Sequence, residues 1–116
     1  MPGTTTRRQK RHNLIVYLRV YDRDTTALLG YLVDITLQGL MLMSEDPLQT
    51  DRLYHLRIDR GESHSPHRYL DVDAHSRWVD RDVNPKLFNT GFSFVDPTSQ
   101  VLAAIDNLIK DLSFGE

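Results

Sequence analysis

Two short groups of residues in this 116-residue chain have types and spacing suited to binding an anion. The first is Arg7-Arg8-Gln9-Lys10-Arg11, which places three guanidiniums within five positions. An arginine fork binds phosphate oxygens bidentately, and several on one short arm multiply the available donors. The second is Asp34-Ile35-Thr36-Leu37-Gln38-Gly39, set between two apolar segments. It supplies a carboxylate that only accepts, a hydroxyl, and a glycine that permits close backbone approach or a positive φ. Each group also has a plainer reading. The basic residues serve as a solvated tail, or clamp onto the body's own acids. Asp34 and Thr36 serve as turn-formers that satisfy backbone groups.

Charge is unevenly distributed. The chain holds 14 Lys+Arg and 16 Asp+Glu, for a net charge of -2. Residues 1–12 carry four of the bases and no acid, leaving ten bases against sixteen acids on the rest. A basic arm over 1–12, expected to be flexible, precedes an acidic body over 13–116 that reads as a single domain. Such an arm suits an anionic ligand. The acidic body shows no basic stripe along which a nucleic acid polymer would run.

The elements that must position these residues follow from periodicity. Leu14, Val16, Leu18 and Val20 alternate with Ile15, Tyr17, Arg19 and Tyr21, the period of a strand. Residues 22–26 make a turn, and 27–35 a second strand in which Gly30 marks a bulge or tight bend. Gly39 opens a short third strand. Residues 52–59 alternate Tyr54, Leu56 and Ile58 against His55 and Arg57, and a polar loop spans 59–67. Residues 68–79 place Leu70, Val72 and Ala74 on one face and Asp71, Asp73 and His75 on the other, with a bulge expected near Trp78. Residues 80–86 turn into a last strand over 87–95. The period then changes. Val101, Leu102, Ile105, Leu108, Ile109 and Leu112 form one helical stripe over about 98–112. Asp96 is expected to cap that helix, with Pro97 at its first position. Six short strands and one helix predict an all-β fold, a small six-stranded antiparallel barrel whose open end or edge the C-terminal helix covers.

The order of the two motifs, Arg-x-x-x-Arg before the first strand and Asp-x-Thr-x-x-Gly after the second, resembles the PilZ family of bacterial cyclic di-GMP receptors. Residues 77–79 and 90–96 resemble the paired late strands of the same split barrel. The resemblance runs from Arg7 to about Leu112 and implies a ligand site of Arg7, Arg8, Arg11, Asp34, Thr36 and Gly39. The chemistry fits the implied ligand. Arginine also pairs with the O6/N7 edge of guanine and stacks on purine faces, and Asp34 can accept from guanine N1–H and N2–H. The family's usual serine is Thr36 here; the hydroxyl is kept, while the added methyl can crowd a ligand at about 1–3 kcal/mol. The resemblance implies that the arm folds over the ligand and that an effector protein reads the change, in settings such as motility or biofilm control. One or two ligand molecules are compatible with the family. An adaptor that has lost nucleotide binding is the alternative it leaves open.

Other chemistries find less support. No cysteine is present, which excludes disulfides, thiol catalysis and cysteine-ligated zinc. His64, His67 and His75 with Asp71 and Asp73 have loose metal-ligand spacing, but a polar loop followed by a strand's outer face explains them, and no metal or other cofactor is expected. No nucleophile elbow, Gly-rich phosphate loop or His-Glu metal-helix motif occurs, so no enzyme is expected. No apolar run reaches the roughly 18 residues of a membrane span, and no secretory leader is visible, so a cytoplasmic protein without membrane insertion is expected.

Overall fold

Alternation of buried and outward side chains governs most strands of the computed structural model, which describes residues 17–112. The strands are β1 (Leu18–Asp22), β2 (Leu28–Ile35), β3 (Gly39–Ser44), β4 (Leu53–Asp59), β5 (Tyr69–Arg81) and β6 (Phe88–Phe94), followed by one helix, α1 (Ser99–Leu112). They close into an antiparallel barrel in the order β1-β2-β3-β6-β5-β4. Val20, Leu32, Leu42, Leu56, Ile58 and Val72 point inward and are buried, with Tyr54 and Phe92 meeting edge to face at 5.6 Å. Burying each large aliphatic side chain contributes about 1.5–3 kcal/mol.

Because neighbouring strands run oppositely, the barrel has two distinct ends. One carries Leu18, Ile35, Gly39, Asp59, Tyr69 and Phe94; the other carries Asp22, Leu28, Ser44, Leu53, Arg81 and Phe88. The described chain enters at the first end, and α1 follows from it. The predicted apolar stripe of α1 packs on the barrel, and Ile105 and Leu108 join its core. Among the described residues no helix is long and apolar enough to cross a membrane.

Three register shifts interrupt the pairing, between Val20 and Tyr21, between Leu32 and Asp34, and between Ser76 and Trp78. An extra residue at a bulge re-aims the side chains beyond it. The third shift is the irregularity expected near Trp78: Ser76 is buried and Trp78 outward. The first shift lies opposite Gly30, whose backbone approaches β3 so closely that a Cβ would sit 2.5 Å from the Met43 carbonyl oxygen.

Several expected boundaries are corrected. Asp59 ends β4, as the strand expected over 52–59 has it, so the polar loop starts one residue later than 59; Asp59 is only 8% exposed. The Arg68 fork binds it, with Nε and Nη2 donating at 2.8 and 3.0 Å, so a buried carboxylate is satisfied. The loop between them holds a 3-10 turn at Glu62–His64. The turn expected at residue 80 begins at Asp82, whose N–H donates to the Leu87 carbonyl at 2.8 Å. Helix α1 is capped by Thr98, not Asp96. Thr98 Oγ1 accepts from Val101 N–H at 3.1 Å and its carbonyl accepts from Leu102 N–H at 2.9 Å. Asp96 has φ 45°, which places it in a turn before the helix, and Pro97 precedes the cap. Residues 14–16 of the expected first strand lie outside the described residues.

Candidate ligand pocket

An open pocket of about 300 Å³ lies across the outer faces of β2, β3, β6 and β5. The pairing explains how it is built. Asp34 pairs with Met41, Met41 with Gly91, and Gly91 with Trp78. These four residues therefore form one row across four strands. Three inter-strand spacings separate its ends, roughly 14 Å along the sheet. A carboxylate stands at one end and an indole, 42% exposed, at the other.

Both bulges beside the row aim its ends. The shift between Leu32 and Asp34 sets Asp34 opposite Met41, and the shift between Ser76 and Trp78 sets Trp78 opposite Gly91. Gly91 has no side chain because the indole occupies its space. A Cβ there would lie 2.6 Å or closer to three ring atoms. Arg77 borders the same wall, with Nε donating to Ser93 Oγ at 3.2 Å.

The β2–β3 turn shapes the opposite rim. Thr36 N–H donates to the Gly39 carbonyl at 2.8 Å, and Gln38 N–H donates to Thr36 Oγ1 at 3.2 Å. The Thr36 hydroxyl also lies 3.4 Å from Gln38 Oε1. Thr36 is thus a turn-former by its hydroxyl and remains exposed at the pocket edge. Gly39 is required by close approach: a Cβ would collide with the Phe92 carbonyl of β6, and its φ is not positive.

The structure thus brings Asp34, Thr36 and Gly39 together at one pocket. Arg7, Arg8 and Arg11 lie outside the described residues. Leu18 pairs with Leu32, two positions before Asp34, so the chain enters β1 beside the pocket. Sequence reasoning missed Arg77, Trp78, Gly91 and Ser93 as pocket walls. The available signal was the chain's only tryptophan, on a strand with a predicted bulge.

Four of the five residues considered for metal binding, all but His67, face other side chains. Asp71 accepts from Arg57 Nε and Nη2 at 2.8 and 3.0 Å. Asp73 lies 2.7 Å from His55 Nδ1 and accepts from Arg23. Hydrogen bonding from Arg57 holds the Asp71 carboxyl below the usual carboxylate range; His55, and then Arg23, do the same for Asp73. His64 faces Asp111 and His75 faces Asp51, each at 3.3 Å. Among the described residues no three potential ligands converge.

The PilZ domain family model matches residues 5–111. The PilZ domain of YcgR from Escherichia coli, solved with c-di-GMP, superposes with a TM-score of 0.65 at 15% identity, covering 91% of this chain and 92% of that one. The Bacillus subtilis inhibitor of motility (MotI/DgrA) superposes with a TM-score of 0.66 at 16% identity, over 90% of this chain and 51% of that one. MrkH of K. pneumonia gives a TM-score of 0.67 at 14% identity, over 92% and 50%. The chain spans nearly all of the isolated domain and about half of the two longer proteins. At these identities the likeness is one of fold. No curated protein matches the chain.

Proposed function

The chain belongs to the PilZ domain family, and from that premise we propose that it is a receptor for cyclic di-GMP. The observation that carries the reading is the cross-strand row. It sets an acceptor, Asp34, and a stacking surface, Trp78, at the two ends of one open pocket beside the start of β1.

Each residue then has a task that its chemistry allows. Asp34 accepts from guanine N1–H and N2–H, which adenine does not offer in that pattern. Trp78 stacks on a base; such stacking is worth about 1–3 kcal/mol per base. Arg77 uses Nε on Ser93 and directs its terminal nitrogens to phosphate or to a guanine Hoogsteen edge. Thr36 and Gly39 hold the rim. Arg7, Arg8 and Arg11 close from the arm onto the two phosphodiesters. Seven residue-to-residue steps separate Arg11 from Leu18 and span at most about 25 Å, enough to reach the pocket. The dianion joins a basic arm to an acidic body, and the altered surface is what an effector protein reads.

Titration calorimetry of the full chain with cyclic di-GMP tests the reading and reports stoichiometry. Saturable heat is expected. Arg8→Ala and Arg11→Ala each lose most of the affinity while circular dichroism stays unchanged. No heat at high micromolar ligand would refute the receptor and leave the adaptor alternative.

A further inference from the structure

At the barrel end away from α1, the three connecting loops leave a second concavity of about 400 Å³. Its walls are apolar: Leu28, Leu29, Tyr31, Met43, Leu48 and Leu87. The β1–β2 bulge creates part of this lining. Val20 pairs with Gly30 but Tyr21 pairs with Leu28, so Leu29 is the extra residue and Leu28 is turned outward, 45% exposed. A regular strand would place Leu28 on the same inward face as Gly30 and Leu32. The sequence thus spends a bulge to present an aliphatic side chain to the outside.

The rim is acidic. Glu45 and Asp46 line the groove, and among the described residues neither makes an ion pair. Ser44 Oγ donates to the Asp46 carbonyl at 2.7 Å and fixes the loop that carries both carboxylates. Among the described residues, the arginines of the loops at this end do not pair with Glu45 or Asp46. Arg23 binds Asp73, Arg52 stacks over Tyr54, and Arg81 donates to the Pro85 carbonyl at 2.7 Å. Lys86 flanks the wall at Leu87 but is not part of the lining. An apolar trough with two uncompensated carboxylates is complementary to aliphatic side chains bracketed by cations.

We infer that this groove is a docking surface for a partner protein's short segment that carries Lys or Arg beside large aliphatic residues. It is independent of the nucleotide reading, since the ligand pocket lies at the other end of the β2–β3 hairpin. A partner seated here leaves that pocket open.

The test is an amide NMR titration of the full chain with the synthetic peptide acetyl-Lys-Leu-Leu-Lys-Lys-Leu-Leu-Lys-amide. A second peptide has every lysine replaced by glutamate. Saturable shifts are expected at Leu28, Leu29, Tyr31 and Leu87, with none from the glutamate peptide. Glu45→Lys combined with Asp46→Lys is expected to weaken binding at least fivefold, as is Leu28→Ser; all three positions are exposed, so the fold is retained. Several results would overturn the inference: no saturable shifts, shifts confined to α1 or the Trp78 pocket, or equal binding of both peptides. Concentration-dependent dimerisation that shifts the same amides would assign the groove to a second copy instead and equally refute it.

Discussion

Gly91→Ala tests the pocket through a methyl group that meets the Trp78 indole. The three nearest indole atoms lie 2.6 Å or closer to where the new Cβ would sit. Optimal carbon contacts are about 3.5–4.0 Å, so the ring must retreat by about 1 Å or more. Trp78 is 42% exposed and can swing toward solvent, so the fold accommodates the change at little cost. Stacking does not. Loss of one base–aromatic contact at about 1–3 kcal/mol corresponds to about a 5- to 150-fold weaker Kd. Trp78 is the chain's only tryptophan, so its emission reports ring position and ligand contact in one experiment. In the wild type, cyclic di-GMP should change that emission saturably. In the variant the ligand-free emission should already be shifted, and the titration midpoint should move by the stated factor. Wild-type affinity in Gly91→Ala, or emission indifferent to ligand in the wild type, would refute the role given to Trp78.

The remaining predictions concern the rim, the helix and acid stability. Thr36→Ser keeps the hydroxyl that accepts from Gln38 N–H and removes the methyl at the pocket edge, so calorimetry should show equal or tighter binding; Thr36→Val should weaken it. Leu108→Ala empties a site only 2% exposed beneath α1 and should cost about 2–5 kcal/mol, read as a lower urea midpoint. Asp59, Asp71 and Asp73 have folded pKa values below the ordinary range, held there by Arg68, Arg57 and His55 first among their partners. Their contribution is complete above the unfolded carboxylate pKa of about 4 and is lost as pH falls through the lower folded values. The urea midpoint should therefore stay level between neutral pH and about pH 5 and fall below about pH 4. Asp59→Asn should lower it at neutral pH and flatten that fall.

Much of this fold is legible in the sequence because each strand buries alternate residues and α1 buries a single stripe. Tyr54, Leu56 and Ile58, or Leu70, Val72 and Ala74, announce their inward face without help from distant residues. Asp34, Thr36 and Gly39 are legible as a group because one turn holds them. The far wall is not, because its position depends on register. Nothing local in Arg77-Trp78 says that a shifted β5–β6 pairing lays the indole on Gly91, or that β3 brings Met41 to that same glycine. Asp59 hides its role for a similar reason: it ends the strand as read, but nothing local says that Arg68 neutralises it across the hairpin. At α1, the sequence points to Asp96 as the cap, while the structure uses Thr98. Only the backbone decides, since Asp96 is spent on a positive-φ turn.

The β3–β6 pairing also orders events in time. Gly39 meets Ser93 and Met41 meets Gly91, partners about fifty residues apart in the chain. During synthesis the first rim emerges long before its opposite wall exists. Pairing across so long a loop pays its closure entropy before any contact repays it, and such contacts form slowly. A nascent or truncated chain that ends before β6 carries Asp34, Thr36 and Trp78 yet holds no pocket. If the proposed receptor reading holds, the complete pocket belongs only to chains whose barrel has closed, and a fragment ending before β6 should bind cyclic di-GMP more weakly than the whole chain.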